Sequence, residues 1–281
     1  MQRSAAITFI GNLTKYLVPL AALLVFTGWL LLTPPGILGK ADAVGCAVCH
    51  RIEARSFHIG ERQFPLCARC SGTFMGVVTA LLYQTAVGRR RTGTPPWKVI
   101  VPLILLIVAF AIDGSNSYLY LIKETYPGAL SRIPNLYIPQ NWLRLLTGSG
   151  MGLGLAAAIY PVFNQTVWRK VDPRPALGNL WLLVILLGIM LLVDLGIMTG
   201  SPFILYPVAL ISTLGVLVPL TMIYTIIWIL IMQQENIFDT LPHLWLPITA
   251  GFTLTMIMVV TIDLLRFRLT GTWGGFPLGL K

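Results

Sequence analysis

Four cysteines carry the clearest chemistry in the chain. They are spaced Cys46-x2-Cys49, seventeen residues, then Cys67-x2-Cys70. Each CxxC turn can point two thiolates at one centre, and two such turns about 15–20 residues apart form a zinc-site spacing. Two pairs complete a tetrahedron of sulfur around Zn2+, an arrangement that holds a loop in shape. The same residues admit other centres. Cys46-Ala47-Val48-Cys49-His50 has the form of a c-type haem attachment motif, although Cys67-Ala68-Arg69-Cys70-Ser71 lacks the matching histidine. Four thiolates also suit an iron–sulfur cluster. Disulfides or a dithiol redox pair suit an oxidising compartment. Structural zinc gives every cysteine a purpose and leads. His50 and His58 would then stand beside the metal or replace one thiolate as ligand. Arg51, Arg55, Arg62 and Arg69 crowd the same segment. They would neutralise a tetrathiolate centre, hold an anion through the guanidinium fork, or meet anionic headgroups.

The elements that must position these residues follow from composition. Of 281 residues, 56% are hydrophobic and 11% are charged, and the mean hydropathy is +0.79. Soluble domains carry roughly a quarter of their residues as charged groups. The apolar residues gather into runs near the roughly 20 residues a helix needs to cross a bilayer. The expected fold class is an all-α integral membrane protein of about seven transmembrane helices, with the four-cysteine metal-binding loop between helices one and two. The runs cover 16–32, 71–88, 97–112, 141–163, 177–198, 203–232 and 244–266. The first exceeds the roughly 7–15 apolar residues of a signal peptide. A retained helix is therefore expected, despite the Ala41-Asp42-Ala43 triplet that could pass for a cleavage site. Pro207 and Pro219 could break the sixth run, but its length suits one tilted crossing. Three parts result: an N-terminal transmembrane helix over 1–36, a cysteine-rich, zinc-knuckle-like loop over 37–70, and a six-helix membrane domain over 71–281. No internal repeat or inverted duplication is visible, which counts against a transporter built on such repeats.

Crossing count then places the charges. With the cysteine loop defining one face, Asp113 closes helix three at that face and Arg144 opens helix four there. Asp194 lies about a turn below the same surface on helix five, and Asp263 ends helix seven near it. Ionisable groups at membrane depth are costly, and are usually paired or functional. Asp113 with Arg144 is the expected ion pair, and Asp194 is a candidate proton or cation site or else a partner for Arg266 or Arg268. The formal charge of +10 does not indicate nucleic acid, because the basic residues sit between apolar runs rather than along an aromatic-lined stripe. Compact basic loops such as Arg89-Arg90-Arg91 and Arg169-Lys170 mark the opposite face as cytoplasmic. The cysteine loop then faces outward from the cell (plasma) membrane. Gly148, Gly150, Gly152 and Gly154 form two small-xxx-small pairs suited to close helix packing. Ser149 between them invites a serine-protease reading, but the nearest histidine outside the loop, His243, falls on the wrong face to serve as its base.

Several segments together resemble a known family. Cys49-His50-Arg51, Arg55-Ser56-Phe57 and Pro65-Leu66-Cys67-Ala68-Arg69-Cys70-Ser71-Gly72 with Gly76 are similar to domain of unknown function 2085, a family of predicted prokaryotic multi-pass membrane proteins. Asp113-Gly114 and Asn141-x2-Arg144-x2-Thr147-Gly148 resemble its second signature, and the likeness spans roughly residues 46–155. The resemblance implies that the cysteine loop and the Asp113, Asn141 and Arg144 segment form one unit; it brings no reaction with it. The expected function is binding, transport or assembly at a metal-capped Arg/Asp cluster that takes an anionic or polar small ligand. The alternative is a membrane enzyme or redox protein acting on a lipid-soluble substrate through the CxxC pairs or the metal. The bilayer is the expected partner and nucleic acid is not.

Overall fold

The computed structural model describes residues 2–126, 128, 130 and 132–275. Eight α-helices follow one another as α1 (Gln2–Leu32), α2 (Ile37–Val48), α3 (Ala68–Val87), α4 (Trp97–Thr125), α5 (Asn141–Val167), α6 (Leu180–Met198), α7 (Pro202–Ile231) and α8 (Trp245–Thr270). All but α2 are long and apolar enough to cross a membrane. Their outer faces carry large apolar side chains in the open, among them Leu31, Leu192 and Phe203, as lipid-facing helices do. Four short strands complete the fold. β1 (Ser56–Ile59) and β2 (Arg62–Cys67) form an antiparallel hairpin, and β3 (Arg91–Gly93) and β4 (Asp172–Pro175) pair in parallel.

Local chemistry sets the boundaries. Pro34-Pro35-Gly36 stops α1, Pro96 caps α4 and Pro202 opens α7, where a missing N–H costs nothing. Pro207 and Pro219 both sit inside an unbroken α7, so residues 202–231 make the single long helix expected. Gly60, at φ 60, takes the left-handed first position of the two-residue turn that closes the β1–β2 hairpin.

Several boundaries differ from the sequence expectation, two of them around the cysteines and Asp113. The stretch 37–70 is not a continuous loop, because α2 occupies its first part and the hairpin most of the rest. Small residues explain α2: Gly39, Ala41, Ala43, Gly45 and Ala47 are buried along it, a segment too short and too small-sided to read as a crossing. Helix α4 also runs past Asp113-Gly114 to Thr125. A glycine inside a helix costs only about 1 kcal/mol. The polar side chains of Asp113, Asn116 and Ser117 are satisfied by neighbouring elements, so the helix has no reason to stop. It projects about 18 Å beyond Asp113 at 1.5 Å per residue.

The central pair is α3 against α5, and glycine makes the approach possible. A methyl group at Gly72 would overlap the Leu145 carbonyl, and one at Gly148 the Arg69 carbonyl. The same holds further down at Gly76 and Gly152. Backbone therefore lies directly on backbone, as small-residue stripes permit in membranes. Gly150 and Gly154 turn the other way, toward Leu106 and Ile107 of α4. These contacts set the start of α3, where Arg69 and Cys70 lie, beside the start of α5, where Arg144 and Thr147 lie. At the far end, Asn164 and Tyr160 of α5 hold the Gly88–Arg91 turn through its carbonyls.

A candidate metal centre

The sulfur atoms of Cys49, Cys67 and Cys70 lie within 4.8 Å of one another. Three elements bring them together. Cys49 is the residue that ends α2, Cys67 ends β2, and Cys70 occupies the first turn of α3. A Cβ at Gly45 would overlap the Pro65 carbonyl, so only glycine lets α2 lie this close to β2. The chain then turns sharply at Arg51, whose φ of 50 is a costly left-handed backbone for a side chain this size. That turn aims the Arg51 N–H at Cys49 Sγ, at 3.4 Å, and the Cys67 N–H reaches the same sulfur at 3.2 Å. Backbone N–H groups pointing at sulfur favour a thiolate and fix its direction, as the partners around metal ligands do.

Protonation follows the geometry. Cys67 and then Cys70 donate S–H hydrogen bonds to Cys49, holding the Cys49 thiol well below its ordinary pKa. The donor role pushes Cys67 up to about 12. One thiolate thus gathers two thiols around it, and a divalent cation replacing those protons would bind all three sulfurs. The donor set, all sulfur with Cys49 and Cys67 buried and Cys70 partly so, fits zinc or an iron–sulfur centre. All four cysteines are free thiols.

Cys46 stands outside this group, in contrast to the four-sulfur site expected from spacing. Cys46 sits within α2, which remains helical through Val48, and lines, together with Cys49 and His50, a cavity of about 330 Å3 against Ile262, Leu265 and Arg266 of α8. Burial raises its thiol pKa. His50 follows Cys49, and its Nδ1 accepts from the Ile52 N–H at 3.2 Å; burial lowers its pKa. His58 lies on the hairpin, 3.8 Å from Glu53, and does not join the sulfurs.

Beneath the sulfurs lies the polar cluster. Asp113, 1% exposed, accepts from Arg69 through Nε at 3.2 Å and through Nη2, which also donates to Ser117 Oγ at 2.9 Å. Tyr137 donates its hydroxyl to the other carboxylate oxygen at 2.8 Å, and Thr147 donates at 3.3 Å. The ion partner of Asp113 is therefore Arg69, one residue before Cys70, rather than Arg144. Arg144 is 5% exposed; it donates to Asn141 Oδ1 at 2.8 Å, while its Nε has no partner among the described residues. Asn141 in turn donates to the Ala54 carbonyl. Arg55 is 6% exposed. Burial lowers its pKa, partly opposed by Glu124.

On the other flank, Arg51 is bound to Asp42 at 2.7 Å and to the Trp273 carbonyl at 2.7 Å, and Arg62 meets Asp42 at 2.6 Å. Arg266 of α8 donates to the carbonyls of Cys46, Cys49 and His50, capping the C-terminal end of α2, where the helix dipole favours a cation. Asp194 accepts from Ser149 Oγ at 2.8 Å beside a cavity of about 270 Å3. Ser149 is thus a hydrogen-bond donor to a carboxylate. Ser117 and Tyr137 were not legible as site residues; Thr147 stood in the family signature without a role. Asp113, Asn116 and Ser117 share one helical face by their i, i+3, i+4 spacing, a signal hidden by ending that helix at Gly114.

A family described as "Predicted membrane protein (DUF2085)" matches residues 49–158. The match opens at Cys49, so it takes in the three converging cysteines, Arg69, Asp113 and Arg144, and leaves out Cys46, Asp194 and Asp263. An uncharacterized protein of Methanocaldococcus jannaschii is 26% identical over 167 residues, 55% of this chain and 96% of its own length. An uncharacterized protein of Methanothermobacter thermautotrophicus is 30% identical over 109 residues, 39% of this chain and 81% of its own. No solved structure matches.

Proposed function

The chain belongs to the domain of unknown function 2085 family of predicted membrane proteins, and from that premise we propose that it is a metal-clamped binding protein of the cell membrane. Zinc held by Cys49, Cys67 and Cys70 fixes the α2–hairpin segment over the start of α3 and α5. The guanidiniums of Arg55, Arg69 and Arg144 beneath it take an anionic or polar small ligand, in binding, transport or assembly. The observation that carries this reading is the convergence of three sulfurs, two of them buried, beside the guanidiniums of Arg55, Arg69 and Arg144, of which Arg69 alone is ion-paired, to Asp113. Three thiolates on a divalent ion leave one net negative charge, so positive charge is still in excess and an anion would balance it. Arginine forks suit carboxylate or phosphate. The cysteine face is the outer one in this reading.

The second reading is a membrane enzyme or redox protein acting on a lipid-soluble substrate. One observation favours it. With Cys46 apart, three sulfurs leave a tetrahedral ion an open position of the kind catalytic sites keep.

Elemental analysis of the purified chain tests the clamp, together with thermal unfolding in inorganic phosphate. The proposal expects one zinc per chain in the wild type and in Cys46→Ser, and none in Cys67→Ser. It also expects phosphate to raise the unfolding temperature of the wild type but not of Arg144→Gln. Full metal content in Cys67→Ser would remove the clamp, and equal phosphate effects in both proteins would remove the anion site.

A further inference from the structure

Asp263 on α8 is 2% exposed, and neither carboxylate oxygen has a hydrogen-bond partner among the described residues. The Trp29 indole N–H is directed toward it from α1, yet makes no hydrogen bond of acceptable geometry. A buried polar group left in this state is costly unless something arrives to pair with it. The carboxylate lines a cavity of about 360 Å3 between α1 and α8, walled by the rings of Trp29, Phe267 and Trp273. Leu24 and Leu32 on its rim are 64% and 74% exposed, so the cavity opens sideways toward lipid. Its volume is at the low end of small-molecule pockets, roughly 300–1,000 Å3.

The donor count selects the headgroup. Two orphaned oxygens need at least two hydrogens; a hydroxyl offers one, whereas an ammonium offers three. Aromatic faces add attraction for a cation. Trp29 already carries one such contact, with Lys40 Nζ 5.8 Å from its ring. Lys40 itself is bound to the carbonyls of Leu30 and Thr33 at the end of α1. We propose that this lateral cavity binds an amphiphilic primary amine, its ammonium on Asp263 and its short apolar chain along Trp29, Phe267 and Trp273. The site lies outside the residues matched by the family, and it is independent of the anion site beneath the cysteines.

The test uses the full chain in nanodiscs with a dodecylamine probe bearing a photoactivatable diazirine, unlabelled dodecylamine and dodecanol serving as competitors. Two variants are made. Asp263→Asn removes the charge and keeps the shape. Gly28→Phe fills the cavity from a lining position where an added Cβ meets nothing within 4 Å. The proposal expects labelling of α1 and α8 peptides, displaced at least tenfold better by dodecylamine than by dodecanol. It expects apparent affinity to fall at least tenfold in Asp263→Asn and labelling to vanish in Gly28→Phe. Undiminished labelling in a folded Gly28→Phe protein would overturn the site. Equal displacement by the alcohol would overturn the ammonium. Should Asp263→Asn fail to fold, the Gly28→Phe and competitor results decide alone.

Discussion

Asp113 and Asp263 are equally buried carboxylates in membrane-crossing helices, and their surroundings are opposite. Asp113 accepts from a guanidinium, a phenol and a threonine hydroxyl drawn from three separate segments. Asp263 accepts no well-formed hydrogen bond among the described residues, with only the Trp29 N–H directed toward it. The first is a junction: α3, α4, α5 and the segment before α5 all meet on it, and its charge is neutralised from within. The second sits beside open volume between α1 and α8, with the Arg266 guanidinium as its nearby charge. Carboxylates at membrane depth therefore divide by where their donors come from. One supplied by the chain holds the fold; one left unsupplied points to a ligand.

Mutation breaks or sharpens that contrast. The largest effect belongs to Asp113→Ala, which strands the Arg69 guanidinium; breaking a buried pair costs about 3–5 kcal/mol, read as a fall in unfolding temperature of the detergent-purified chain. The double replacement Arg69→Met with Asp113→Leu should recover most of that loss, because the apolar pair needs no desolvation. Failure to recover would mean that the charge itself is required, not merely its pairing. Tyr137→Phe removes one hydrogen bond to a charged acceptor, about 2 kcal/mol. Desolvation, then the bond to Asp113, raises the Tyr137 pKa from 10.0 to about 12, so the folded state favours the protonated phenol. Its stabilisation is complete below about pH 10 and is lost as pH rises toward 12. The wild type should lose stability relative to Tyr137→Phe across that window, followed by chemical denaturation at several pH values. Asp263→Asn comes last. With no well-formed hydrogen bond among the described residues to lose, it should stay within about 1 kcal/mol of the wild type or exceed it; a loss like that of Asp113→Ala would show that the two carboxylates are alike after all.

Much of this was written in the sequence, and the reasons for the rest are physical. Hydrophobic runs locate crossing helices because lipid admits little else, and seven such runs became seven long apolar helices. The glycines of α5 announced close packing and delivered it against α3. Cysteine spacing located the sulfur site but not its membership. CxxC states that two thiols are near in sequence and does not say that both reach one cluster, and Cys46, inside α2, lies outside the group that Cys49, Cys67 and Cys70 form. The Asp113-Gly114 pair read as a stop signal because tertiary donors for a mid-helix carboxylate cannot be seen locally. The partner of Asp113 was missed for a related reason: crossing count gives depth, while pairing depends on rotation about the helix axis, which placed Arg69 rather than Arg144 against it.

The central claim is that Cys49, Cys67 and Cys70 close on one ion. X-ray absorption at the zinc edge of the purified chain tests it most directly. The account predicts one zinc per chain with three sulfurs at about 2.3 Å and one lighter ligand. A chain purified under reducing conditions that carries no metal, with all four thiols free to react on unfolding, would contradict it.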